Sequence, residues 1–310
     1  MTQPVQAIHP IGVEDKELST LLAQFAELVS ETVNFGTHIL KWEVTEATGG
    51  DENVPIAMML RHILELLDAV AILVRQSSID PCKTLLRSIL ETFLQLEYML
   101  ERNTQERALS FLVWHYHQQL KLANKANPAD PSYAQFAQKL RADKSTSSGI
   151  APPVIDKLDD HLHNLAQLLQ LPLYAAAEAE YQHLAATGAK IRNWYQLFGN
   201  LNSFEQLANA LNRQAFYEVL YRGWSGPTHG TDIMQNKLSA SATGQAEIVQ
   251  IRFVKDAQMV THYAVSFGLM VYQAMTDKRI PGHKAEYANW YLTIRKPYLQ
   301  LAGEPLIHLT

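Results

Sequence analysis

Cysteine is nearly missing from this sequence: Cys82 stands alone among 310 residues. A single thiol excludes an internal disulfide and any metal site built from several cysteines. An excess of positive charge is missing too. Lys and Arg number 26 against 31 Asp and Glu, a formal net charge of -5. No global cationic field draws nucleic acid, so any such contact needs a local basic patch. The opening run MTQPVQAIHPIGVEDKE lacks the basic segment and apolar stretch of a secretory signal. The apolar stretch 56–74 is interrupted by Arg61, His62, Glu65 and Asp68, which argues against a membrane span. A cytoplasmic protein with no membrane contact is expected. The patterns GxGxxG, HExxH, GxSxG and CxxC are absent, as is any internal repeat. KSTSSG at 144–149 lacks the glycine spacing of a phosphate loop.

What is present is helical period. With 47% hydrophobic and 18% charged residues the chain suits a globular fold. Residues 1–13 read as a flexible arm, and 14–310 as a single helical domain with a mobile loop near 127–153. Leu18, Leu21, Leu22, Phe25, Leu28, Val29 and Ile39 repeat at helical spacing. Pro55 opens a second helix, where its missing N–H costs nothing. Arg61, Glu65 and Asp68 share a face there that reads as a solvent-facing stripe. Asp80 and Pro81 then form the cap and first turn of a third helix. Within it Arg87 and Glu91, four apart, lie beside an apolar face. A buried guanidinium needs a partner, and Glu91 supplies one. Helices follow over 104–126, 132–141 and 154–188, the last broken at Pro172. A short helix starts near Ser203, and long helices cover 254–275 and 283–301. Between 237 and 253 the run SATG and the alternation Val249, Ile251, Phe253 predict a small β-hairpin. The expected fold is all-α, a multi-helix bundle. His115 and His117, two apart, point to different sides of a helix. Asp159, Asp160 and His163 read as a solvated face, so no metal is expected.

The most informative stretch is 217–234, YEVLYRGWSGPTHGTDIM. Tyr217, Leu220 and Tyr221 mark one helical face, and Gly223, Ser225, Gly226 and Pro227 then break it. Six residues separate Arg222 from His229. A guanidinium is a fixed positive fork for phosphate or carboxylate, and an imidazole moves protons near neutral pH. A chain that folds back at the break brings the two into one pocket.

Two segments together resemble a known family. One is AVAILVRQSSIDPCKTLLRSILETFLQLEYML at 69–100. The other is NWYQLFGNLNSFEQLANALNRQAFYEVLYRGWSGPTHGTD at 193–232. Their Arg-x-x-x-Glu helix and Tyr-x-x-x-Tyr-Arg-x-x-Ser-x-x-x-His-Gly run look like a prokaryotic helical family of unassigned function related to HEPN domains. The resemblance implies a HEPN-like core, with an Arg, four to six residues and then a His near a dimer interface. It also implies a metal-independent endoribonuclease, a toxin or phage-defence effector, that uses no cofactor. Arg222 and His229 would be its catalytic pair, and Arg87, Glu91, Tyr221 and Ser225 would lie near them. HEPN nucleases usually carry a polar residue directly after the Arg, where this chain has Gly223. Homodimerisation is expected from that resemblance and from Trp194, Tyr195, Trp224 and Trp290 as candidate interface aromatics. The other reading is a non-catalytic helical module that binds a nucleotide, RNA or a protein partner through the same polar cleft.

Overall fold

Leu22, Phe25, Val29, Thr32, Phe35, Ile39 and Glu43 recur every three or four residues and form the buried face of helix α1 (Lys16–Glu46). The computed structural model of the chain describes residues 15–46, 49–143, 152–226, 234, 237–240 and 244–307. The expected arm 1–13, the run 144–149 and His229 therefore lie outside the described residues. The fold is an all-α multi-helix bundle with one two-stranded sheet among the described residues. No helix among the described residues is long and apolar enough to cross a membrane. Contacts divide the chain into two compact units. The first holds the residues up to Arg102 and from Phe204 onward, and the second is Asn103–Ser203.

In the first unit α1 packs on α2 (Val54–Arg75) and α2 on α3 (Asp80–Glu101). The polar stripe of α2 faces solvent, as its spacing suggests, with Arg61 and Glu65 paired at 2.7 Å. After α8 (Phe204–Ala210) and a π-helical turn (Phe216–Tyr221), strands β1 (Leu238–Ala240) and β2 (Ala246–Ile248) pair antiparallel, Leu238 opposite Ile248. The expected hairpin is thus present, although the alternating 249–253 run lies beyond its second strand. Helix α9 (Ala257–Lys278) is the central post, touching α1, α2 and α3, and α10 (Lys284–Leu301) packs on it. Close approach of α9 to α1 depends on Gly36. A Cβ there would collide with the Tyr272 ring and with Leu64. Tyr272 is fully buried and donates its hydroxyl to Thr32 O at 2.7 Å. Burial pushes its phenol far above the ordinary range.

In the second unit α4 (Thr104–Ala126) packs on α5 (Pro131–Ala142), α6 (Leu158–Leu169) and α7 (Ala175–Ala186). Its core joins Leu109, Leu112, Val113, Leu169, Tyr174 and Tyr181. Asp130 caps α5 by accepting from Ser132 N at 2.8 Å. Trp194 and Tyr195 are buried here, as Trp224 and Trp290 are in the first unit. All four belong to cores, so none supplies the surface aromatic on which an interface was expected.

Candidate functional site

Helix α3 carries the candidate site. Leu86, Ile89, Leu90, Phe93 and Leu94 are buried, and beside them Asp80, Lys83, Arg87 and Glu91 step along at intervals of three, four and four. Arg87 is the centre. It is only 9% exposed, yet it is a cation that must be solvated by the protein. Its Nε donates to Glu91 Oε1 at 3.1 Å and its Nη1 to Ser225 Oγ at 2.9 Å. Its guanidinium lies over the Tyr221 ring, 4.1 Å from the centroid, a cation–π contact. Phe204 packs on Tyr221 with centroids 4.6 Å apart, and Tyr217 stacks on it at 5.3 Å.

The π-helical turn explains which side chains arrive. A π turn fits an extra residue into one revolution and shifts the phase of the next turn, and such turns are frequent at functional sites. Leu220 and Trp224 are buried, Trp224 edge-on to Tyr263 and Phe267 of α9. That orientation sends Tyr221 and Ser225 to Arg87. Arg222, one position on from Tyr221, turns outward by roughly a quarter of a revolution or more. Its side chain is 63% exposed and pairs with Glu218 at 3.0 Å. Arg87, Glu91, Tyr221 and Ser225 therefore come together, and Arg222 stands outside their cluster.

The same helix bears contacts that sequence reasoning missed. Asp80 does not cap α3. Its carboxylate accepts from Lys83 at 3.0 Å and from Lys237. Lys83 also reaches Asp256 at 2.7 Å. Burial alone would raise the Asp80 pKa, but hydrogen bonds and charge from Lys237 and Lys83 outweigh it and hold the carboxyl below its usual range. Burial would likewise lower Lys83, and Asp256 and Asp80 outweigh that to raise it. Beside this network lies a cavity of about 390 Å³, walled by Ile79, Ile248 and Ile251 among others. At the opposite end of α3, Arg213 grips Glu97 with both arms of its fork, at 3.1 and 2.6 Å. Glu97, Arg87, Lys83 and Asp80 thus tether Arg213, Ser225, Lys237 and Asp256 along α3. The available signal was the Lys83–Arg87–Glu91 spacing inside an apolar helix.

A family model described as "Family of unknown function (DUF5677)" matches residues 53–245. The chain belongs to this family. The matched stretch includes α2, α3, the π-helical turn and Ser225, hence the whole Arg87 cluster, while α1, α9 and α10 fall outside it. The family's description names no activity. No curated protein and no solved structure matches the chain.

The arrangement offers a fixed cation, a hydroxyl and a carboxylate 39% exposed, side by side at the surface of a helical unit. Such a set can hold an anionic ligand and orient a proton on it. Among the described residues no group of three or more His, Cys, Asp or Glu is placed to hold a metal ion.

Proposed function

We propose that this protein is a metal-independent endoribonuclease of the HEPN type. The observation that supports it is the junction of Arg87, Glu91, Tyr221 and Ser225, residues drawn from two distant segments that the family resemblance links. RNA carries its own nucleophile in the 2′-OH. The 2′-oxygen attacks the neighbouring phosphorus and loses its proton. The bond from phosphorus to the 5′-oxygen breaks, and that oxygen gains a proton. Products are a 2′,3′-cyclic phosphate and a 5′-OH. His229 serves as general acid or base in these transfers. Arg222 neutralises charge developing on the phosphate oxygens, while Arg87 and Glu91 orient the reacting groups. In this reading the chain acts on RNA as a cytoplasmic homodimer, in the manner of a toxin or phage-defence effector.

A second reading has its own support. Arg222 is exposed and already paired with Glu218, which suits a non-catalytic module that binds a nucleotide, RNA or a protein partner beside Arg87. One assay separates the two: purified protein is incubated with total RNA in EDTA, and product ends are analysed. Cleavage that leaves cyclic phosphate ends and falls by about two to four powers of ten in His229→Ala is the expected result. Intact RNA with the unmodified protein, or cleavage that survives His229→Ala, would leave the binding module.

A further inference from the structure

The second unit contains a groove of about 500 Å³ between α4, α7 and the turn after α7. Its charged walls differ from those of two grooves in the first unit. The cavity beside Asp80 mixes Asp80 and Asp256 with Lys237 and Lys255. The groove beside Arg213 sets Glu97, Glu101 and Asp277 against Arg213 and Lys278. Here the lining holds Lys121, Lys190 and His117, and no carboxylate among the described residues. On a chain with net charge -5, two lysines facing one groove, with Glu178 held behind His117, make a local concentration of positive charge.

His117 is set with care. Its ring lies parallel to buried Tyr181, centroids 3.7 Å apart, and its Nε2 meets Glu178 Oε2 at 2.8 Å. The other Glu178 oxygen accepts from Gln182 at 2.6 Å, so the carboxylate is engaged on both sides. Lys121, one turn further along α4, holds its ammonium 5.7 Å from the Tyr181 centroid. The His117–Glu178 bond by itself ties α4 to α7. Both lysines are exposed, and neither has an ion-pair partner among the described residues, so their charges stand open to the groove.

We propose that this groove binds a phosphomonoester, with Lys121 and Lys190 on the phosphate oxygens and His117 as a third donor. With Nε2 committed to Glu178, Nδ1 is the nitrogen left, and it donates to the ligand only when both ring nitrogens carry a proton. A carboxylate ligand carries a single charge, whereas a phosphomonoester is close to a dianion with three acceptor oxygens, the better match to two ammoniums. The groove exceeds the size of a phosphate ion and has room for an attached sugar. A free mononucleotide and the 5′-phosphate of an RNA share this chemistry. The site does not rest on RNA cleavage.

The test uses the full chain and a 2′-O-methyl oligoribonucleotide, which lacks the free 2′-OH that cleavage requires. Affinities are compared for the 5′-phosphorylated and 5′-hydroxyl forms, and for adenosine monophosphate against adenosine. The phosphorylated member of at least one pair is expected to bind on the order of tenfold more tightly, the scale of charge-assisted hydrogen bonds. Which pair responds identifies the source, RNA end or free nucleotide. Lys121→Gln with Lys190→Gln should erase the difference with melting temperature unchanged. His117→Phe, which keeps a ring against Tyr181, should reduce it. Equal affinities within both pairs, or a preference that survives the double lysine change, would overturn the proposal.

Discussion

Arg279 meets Glu43 through Nε at 3.1 Å and Nη2 at 2.7 Å, and its Nη2 also reaches Asn53 Oδ1 at 2.7 Å. In the same unit Arg87 meets Glu91 through Nε at 3.1 Å and turns Nη1 to the Ser225 hydroxyl. Both guanidiniums are largely buried, and both have a glutamate. The carboxylates differ: Glu43 is 1% exposed and Glu91 39%. A buried, two-armed pair locks α1 to the end of α9, and no ligand could displace either partner without leaving a charge stranded. Glu91 keeps contact with water, and a hydroxyl is a neutral partner that a phosphate oxygen can replace at Nη1. Burial of the cation alone does not mark a site. Access to its counter-ion does.

The largest effect should come from breaking the closed pair. Glu43→Ala leaves Arg279 without its buried partner, and a loss of about 3–5 kcal/mol is expected in urea unfolding. Glu91→Ala removes a carboxylate already in contact with water and leaves Arg87 its Ser225 and Tyr221 contacts, so its cost should be smaller, about 1–2 kcal/mol. Its effect should appear instead in RNA cleavage or binding, which Glu43→Ala leaves unchanged per folded molecule. Equal destabilisation by the two changes would erase the contrast between the pairs.

Much of this was legible in the sequence. Helical period placed the helices of both units, and the SATG run located the hairpin. The four-residue step from Arg87 to Glu91 beside an apolar face anticipated a partly buried pair. Arg222 was harder, because its direction depends on a π-helical turn that YEVLY does not announce. An α-helical reading leaves the phase of the next turn wrong by about one residue. Partners distant along the chain were also hidden. Lys83 and Asp256 meet only because β1, β2 and their flanks return to α3. His117 and Glu178 lie 61 positions apart, and two histidines at i and i+2 spoke only against a shared metal. Aromatics misled for a simpler reason: Trp224 and Trp194 are as suited to a core as to an interface.

A smaller effect tests the tether at the start of α3. Asp80 has a folded pKa held below its unfolded value of about 3.9. The stability it contributes is present above that value and lost as pH falls through the folded one. Lys83 behaves oppositely: its folded pKa is raised, so its contribution is present below about 10.4 and lost as pH rises through the folded value. Urea midpoints should therefore fall between about pH 5 and pH 2 more steeply in the parent than in Asp80→Asn. Parallel slopes would remove Asp80 from the tether. The Arg87 cluster should hold its geometry in Asp80→Asn at neutral pH, because Ser225 is anchored independently.

The smallest effect concerns Gly223, next to the outward Arg222. It sits in helical backbone, its φ is not among the positive ones, and a Cβ there would meet nothing within 4 Å. Nothing in the packing requires glycine at this point. Gly223→Ala should then stabilise the protein by about 0.5–1 kcal/mol, since the unfolded chain loses freedom and the folded one loses no contact. Gly223→Asn adds what the HEPN resemblance leads one to expect after the arginine, a polar group beside Arg222. If Arg222 leaves Glu218 to meet phosphate during cleavage, the amide supplies a further donor there, and cleavage should rise while stability changes little. If Arg222 is merely a surface partner of Glu218, the asparagine changes neither quantity measurably. The pair of substitutions thus separates the backbone effect, largest for alanine, the better helix former, from chemistry at Arg222, which only asparagine reaches.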